Sequence, residues 1–240
     1  MKPFLAPLYS WAAALPSGTA LKPPMLVAVT LSFLLDNLQK GNHRISCRAP
    51  EKALGEVFRT DAKGADDYIV LGGWETRGNS DTGTARWFSM RLERAEVPWL
   101  FKGEGGSSWA STSIEVLASL VALQLFHVPD VAGLGSAGEM VLTAGTDNRA
   151  AEALSLKRSS TKAPLMYILM QLAVTAKDLG KRLTLCWRPR EENQEADRLT
   201  NEDFTGFDLG RRICCAWSEV RRDVLDSLLR HARSFAEELE

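Results

Sequence analysis

Cysteine is scarce and unpatterned in this sequence. Cys47, Cys186, Cys214 and Cys215 show no CxxC spacing, and the adjacent pair is poorly placed to bridge to itself. They read as free thiols in a reducing, intracellular compartment, so no disulfide framework and no secretion are expected. Long hydrophobic runs are missing too. The stretch "MLVAVTLSFLL" (25–35) is closed by Asp36, short of the ~20 residues that a bilayer crossing needs, and it reads as a buried helix with no membrane partner. The opening "MKPFLAPLYSWAAALPSG" has the lysine, apolar run and small residues of a secretory leader, but Pro7, Tyr9 and Ser10 interrupt it, so it is read as structure. Internal repeats and low-complexity tracts are absent, and a net charge of −1 shows no overall basic character.

What is present is ordinary globular material: 240 residues, 45% hydrophobic and 25% charged, enough for one sizeable core and an appendage. The charge is unevenly spread. Residues 1–50 carry five Lys/Arg against one acid, residues 51–210 carry eighteen against twenty-three, and residues 211–240 carry six against six. An acidic middle repels phosphate unless cations neutralise part of it, which points toward a metal site.

Periodicity supplies the organisation. Two apolar segments separated by "PSGTALKPP" make residues 1–50 a small helical arm. Runs at 56–62, 67–75 and 85–93, rich in β-branched and aromatic residues and divided by polar, glycine-rich loops, predict three sequential strands in an antiparallel meander. From Ser111 the spacing becomes helical, with Ile114, Leu117, Ala118, Val121 and Leu125 in step behind the cap-like "SSWASTS". A strand (138–146), a helix (148–157), a helix ending near Gly180, a strand (181–190) and a short helix around "QEADRLT" follow. This order predicts an α/β domain over 51–210, its five-stranded mixed sheet antiparallel in three strands and then parallel, flanked by helices. Residues 211–240 predict an amphipathic helix, with apolar positions at Trp217, Val220, Val224, Leu228, Phe235 and Leu239. Trp74, Trp87 and Trp187 read as packing residues rather than base-stacking platforms.

Four acids fall at informative places on this scaffold. Asp61 lies near the end of the first strand, Glu115 in the first turn of the long helix, Asp147 between a strand end and a helix start, and Asp197 in the helix after the last strand. Strands one and four side by side bring Asp61 and Asp147 together, and Glu115 and Asp197 then close the cluster. Converging acids repel one another, and divalent cations are the usual remedy. Three of the acids also have a plainer reading. Asp147 can cap its helix, Glu115 can answer the helix dipole, and Asp197 can pair with Arg198 or Lys181.

The set "TDA", "SIEVLA", "GTDN" and "ENQEADRLT" resembles the ribonuclease H domain of retroelement reverse transcriptases over about residues 56–200. The segment "KPFLAPLYSW" is similar to the thumb or connection segment that follows the polymerase palm in such proteins. The resemblance implies that Asp61, Glu115, Asp147 and Asp197 are catalytic and hold two Mg²⁺ ions (Mn²⁺ being the alternative), about 3.5–4 Å apart in two-metal sites generally. It further implies hydrolysis of the RNA strand of an RNA/DNA hybrid, read through 2′-hydroxyls across the minor groove, with a polymerase portion as partner. Asn148, Arg149 and Asn193 become the candidates for substrate contacts, Asn193 alternatively for capping the last helix or orienting its loop.

This chain departs from that pattern in three places. The loop "RPREENQEAD" lacks the family's histidine, since His43, His127 and His231 lie elsewhere, and Glu191 or Glu192 stands in as candidate. The link "RSSTKA" is too short for an extra basic helix, so weak hybrid binding by this piece alone is expected. No aromatic-x-Asp-Asp hairpin of a polymerase palm is present, "ADDY" lacking the flanking pattern, so the chain is not expected to copy nucleic acid. A non-enzymatic alternative follows: an inactive ribonuclease H-like module that binds nucleic acid or a polymerase. A proofreading exonuclease fits less well, because Asp61 is followed by Ala62 and Lys63 rather than by the Asp-x-Glu pattern.

Overall fold

The computed structural model describes residues 2–16, 18, 22–40, 51–79, 81–102, 106–128, 139–160 and 162–237. Helices α1 (Lys2–Ala14) and α2 (Met25–Lys40) precede strands β1 (Glu51–Gly64), β2 (Tyr68–Glu75) and β3 (Trp87–Glu93). Then come α3 (Ser111–Leu125), β4 (Glu139–Thr146), α4 (Arg149–Lys157), α5 (Leu165–Asp178), β5 (Lys181–Trp187), α6 (Gln194–Thr200) and α7 (Asp223–Glu237). The sheet order is β3-β2-β1-β4-β5. β1, β2 and β3 pair antiparallel, while β4 runs parallel to β1 and β5 parallel to β4. The expected mixed sheet is therefore the observed one.

Several boundaries differ from the sequence reading. β1 starts at Glu51 rather than near 56, bending through register shifts around Glu56 before it reaches Asp61. β5 stops at Trp187, because Pro189 offers no backbone donor and residues 190–192 wind into a 3₁₀ turn. The last helix begins at Asp223 instead of Trp217, which belongs to a separate 3₁₀ turn. Buried Gln171 explains that start: its Oε1 accepts from the backbone N–H of Val224 (2.9 Å) and of Leu225 (3.1 Å), satisfying two donors at the helix N-terminus. Gly180 closes the α5–β5 connection at φ 63°, a left-handed conformation suited to glycine.

α3 was expected to be apolar on one side and proves buried all round, every residue from Ser113 to Leu123 being inside. The reason is its place between the sheet and α5, so it needs no polar face. This helix, with the turn before it, is also the one described segment long and apolar enough to cross a membrane, and it is mostly buried within the fold. α1 and α2 pack on each other, α1 also on α5, and α7 on both α2 and α5. Cys186, Cys214 and Cys215 are free, whereas Cys47 lies outside the described residues.

A second, smaller core occupies the other sheet face. Trp74, Ala85, Trp87, Ala196, Leu199 and Phe207 cluster there, with Phe204 alongside. Trp87 is fully buried, its ring 5.0 Å from that of Phe204 and 5.4 Å from that of Phe207, and its indole N–H donates to Asp208 O at 2.8 Å. This cluster holds the seven-residue α6 against the sheet, which its own length does not do. Close approach is allowed by Gly72, directly across the strand pair from Asp61. A Cβ there would stand 3.0 Å from Leu199 Cβ and 3.2 Å from the Thr200 backbone nitrogen. Gly72→Val should therefore push α6 outward and lower stability by about 1–3 kcal/mol, measured by urea unfolding.

Candidate active site

The acids meet where β1 and β4 lie side by side. Arg59 pairs with Gly145 in the parallel register, so two residues further on Asp61 comes beside Asp147, which directly follows β4. Glu115 reaches the same point from α3. It is the fifth residue of that helix, past the first turn where it was expected, so the helix dipole does not account for it. α3 is tied to β1 next to the site: Thr60 Oγ1 and Ser119 Oγ are 3.1 Å apart, and Ser119 Oγ donates to Glu115 O. Carboxylate oxygens of Asp61, Glu115 and Asp147 all lie within 4.8 Å of one another.

Burial makes this gathering unfavourable while the acids are charged. Asp61 and Glu115 are each 7% exposed and Asp147 is half-buried. Desolvation, with the negative charges of Asp147 and Asp197 added, raises the Asp61 carboxyl to about 6, against the opposing pull of a hydrogen bond from Thr200 Oγ1 at 2.6 Å. Glu115 is pushed well above the ordinary range, first by desolvation and then by Asp61 and Asp147. Asp147 is raised by desolvation and by Asp197, and Arg190 opposes this.

Asp197 stands at the rim. Its Oδ1 accepts from Arg190 Nη2 at 2.8 Å and its Oδ2 from Asn201 Nδ2 at 3.0 Å. The expected alternatives for pairing are occupied elsewhere, because Arg198 bonds Asp203 at 3.1 Å and Lys181 Nζ donates to Val128 O at 2.5 Å. Four acids thus share one electrostatic neighbourhood, three in mutual reach and the fourth neutralised by an arginine. The strand order and these placements settle the architecture. The fold is ribonuclease H-like.

No protein-family model matches the sequence, and no curated protein does. Solved structures do match. Ribonuclease H1 of the halophilic archaeon Halobacterium salinarum NRC-1 aligns over 62% of this chain and 97% of its own, with 19% identity and a TM-score of 0.38. LC11-RNase H1 in complex with an RNA/DNA hybrid aligns over 61% and 94%, with 18% identity and a TM-score of 0.41. The protease-reverse transcriptase of Prototype Foamy Virus aligns over 84% of this chain and 29% of its own, with 13% identity and a TM-score of 0.39.

The geometry fits a hard divalent cation. Glu115 Oε2 is buried with no hydrogen-bond partner, and the clustered donors are carboxylate oxygens without histidine or cysteine. Positive charge at this point would offset the burial and the added repulsion that raise all three groups.

The remaining candidates take varied positions. Asn148 caps α4, its Oδ1 accepting from Ala151 N at 3.0 Å, which leaves Asp147 with its side chain in the cluster. Arg149 is exposed and stacks on the Trp187 ring at 4.0 Å, and the Trp187 indole N–H donates to Asp147 O at 3.1 Å. Asn193 takes the loop-orienting role among its expected alternatives, rather than a substrate contact or a cap. It is 1% exposed, offers no surface for a substrate and makes no side-chain cap. Its amide donates to Thr60 O at 3.2 Å and so orients the loop. Glu192, a candidate for the missing histidine's place, lies 4.0 Å from Arg188. Arg190 is the residue of that turn bonded to an acid of the cluster.

Two participants escaped the sequence reading. Thr200 was visible as the last residue of "ENQEADRLT" but had no role assigned, and Arg190 had no spacing signal at all.

A raised carboxyl binds its proton more tightly folded than unfolded, so its contribution to stability is present below the unfolded value and lost as pH rises through the folded one. For Asp61 that window runs from 3.8 to about 6. The metal-free protein should lose on the order of 3 kcal/mol from this group across the window. Urea unfolding at a series of pH values should show the fall, with a shallower slope in Asp61→Asn and recovery on adding Mg²⁺. Thr200→Val, which removes a bond that orients Asp61, should cut metal affinity or activity by about 10–100-fold, checked by Mg²⁺ titration.

Proposed function

We propose that this chain is a metal-dependent endonuclease that hydrolyses the RNA strand of RNA/DNA hybrids, as the ribonuclease H part of a retroelement reverse transcriptase. The observation that carries this reading is the cluster of Asp61, Glu115 and Asp147 within 4.8 Å, buried and with one oxygen of Glu115 unpartnered. Asp61, Glu115 and Asp147 would hold the cation, Mg²⁺ or Mn²⁺, and Asp197 would join them on release from Arg190. Divalent ions in such a site activate water and stabilise the charge that develops on the attacking and leaving oxygens.

The chain's own residues do the rest. Thr200 fixes the orientation of Asp61, and Asn193 fixes the turn that carries Arg190. The exposed Arg190 side chain supplies a guanidinium beside the acids, suited to gripping a phosphate once Asp197 is otherwise engaged. Arg149, on the Trp187 ring, offers a second cation, and Asn148 lies next to it for contact with the hybrid. A polymerase portion as partner is supported by Leu31, Leu35 and Leu38, exposed at the spacing of one α2 face.

The test is cleavage of a 5′-labelled RNA strand annealed to DNA, with Mg²⁺ or Mn²⁺, beside an Asp147→Asn control. The expected result is metal-dependent cutting of RNA in the hybrid alone, abolished in the variant. A hybrid that is bound but never cut with either metal would overturn the enzymatic reading in favour of an inactive binding module.

A further inference from the structure

On the sheet face that carries α6, the first half of β1 and the end of β2 border a groove of about 650 Å³. Glu56, Arg59, Trp74, Thr76, Arg77 and Arg188 are among its lining residues. The turn at 190–193 crosses β1 between this groove and the acids, held there by Arg59 Nη1 donating to Glu192 O and by Asn193 Nδ2 donating to Thr60 O. The groove is a neighbour of the acidic centre and not a part of it.

Two independent features mark it. The first is charge: the lining residues bring three guanidiniums, of Arg59, Arg77 and Arg188, against the one carboxylate of Glu56, which Arg59 and Arg188 meet at 2.5 and 2.8 Å, while Arg77 pairs behind the wall with Glu75 and Arg188 also lies 4.0 Å from Glu192. Gly145 leaves room for this crossing, since a Cβ there would meet Arg59 Cγ at 2.9 Å and Glu56 Oε2 at 3.0 Å. The second is a pair of orphaned polar atoms in the lining residues. Trp74, 7% exposed, has an indole N–H without an acceptor, and the Thr76 hydroxyl is buried without a partner. A buried donor left unpaired costs stability, so an acceptor that enters the groove supplies what is missing.

We infer that this groove is a second binding site, specific for the phosphate of a nucleotide. An electropositive, donor-rich wall calls for an acceptor-rich anion, guanidiniums suit phosphate oxygens, and the volume lies in the range of small-molecule sites. The inference does not depend on the acids binding metal. The same chemistry has two sources, a free mononucleotide or a nucleotide within a nucleic-acid strand. Trp74 Nε1 is recessed, so surrounding side chains shift when it is engaged, which makes its proton a reporter of occupancy.

The experiment uses the full chain carrying Asp147→Asn, in EDTA so that the acidic centre is silent, with ¹⁵N-labelled indoles observed by NMR. The Trp74 signal is identified by its loss in Trp74→Phe. Inorganic phosphate, a nucleoside 5′-monophosphate and a short single-stranded DNA are titrated separately. A saturable shift of the Trp74 indole signal is expected, with affinity reduced about tenfold or more by Arg188→Gln. A response to the monophosphate assigns a free nucleotide, and a response to DNA alone assigns a strand. No shift with any ligand, a shift with inorganic phosphate alone, or a shift that Arg188→Gln leaves unchanged would overturn the inference. So would a Trp74→Phe or Thr76→Val variant that raises Tm while affinity, followed with a fluorescent nucleotide, stays the same.

Discussion

Like charges held together out of water are the constraint around which the rest of this molecule is arranged. Asp61, Glu115 and Asp147 repel, and each is poorly solvated, so their meeting has to be enforced by structure that does not yield. β1 and β4 fix two of them by backbone pairing. The third is carried by α3, which is buried on every side and cannot rotate away without dismantling the main core. Rigid packing, rather than mutual attraction, makes the cluster possible.

The junction after β4 divides its tasks between neighbours. A helix N-terminus needs a cap, and an aspartate there would serve. Asn148 takes that duty, so the carboxylate of Asp147 is spared for the cluster while its carbonyl anchors Trp187. Swapping the two residue types would satisfy the cap equally well and remove an acid from the cluster.

Much of this was legible in the sequence because it depends on local pattern. The element order came from changes in hydrophobic period, and the acids stood out by their places at strand and helix ends. What could not be read depends on contacts between distant residues. Gly72 gains its meaning only once it is known to sit opposite Asp61 in the β1–β2 pair, and Gln171 caps a helix 53 residues away. The pairing of Asp197 with Arg190 needs the 3₁₀ turn that Pro189 introduces, whereas adjacency along the chain points to Arg198, whose side chain a helix turns away from its neighbour's. Asn193 looked like a cap by position, yet the partner it finds is the carbonyl of Thr60 on another element. α3 misled in the opposite sense, because a helix covered on both sides carries more apolar surface than its amphipathic spacing disclosed.

α6 carries both Asp197 and Thr200, less than a turn apart, and its seven residues are held down largely by Trp74, Trp87, Phe204 and Phe207. A helix so short has little independent stability. Any displacement of it would take along the rim acid and the hydroxyl that steadies Asp61. The aromatic cluster beneath is therefore the foundation of this wall of the site. A loosened ring far from any carboxylate would be felt as a change in both the charge and the aim of the acids, and local opening of this corner would expose the cluster long before the sheet came apart.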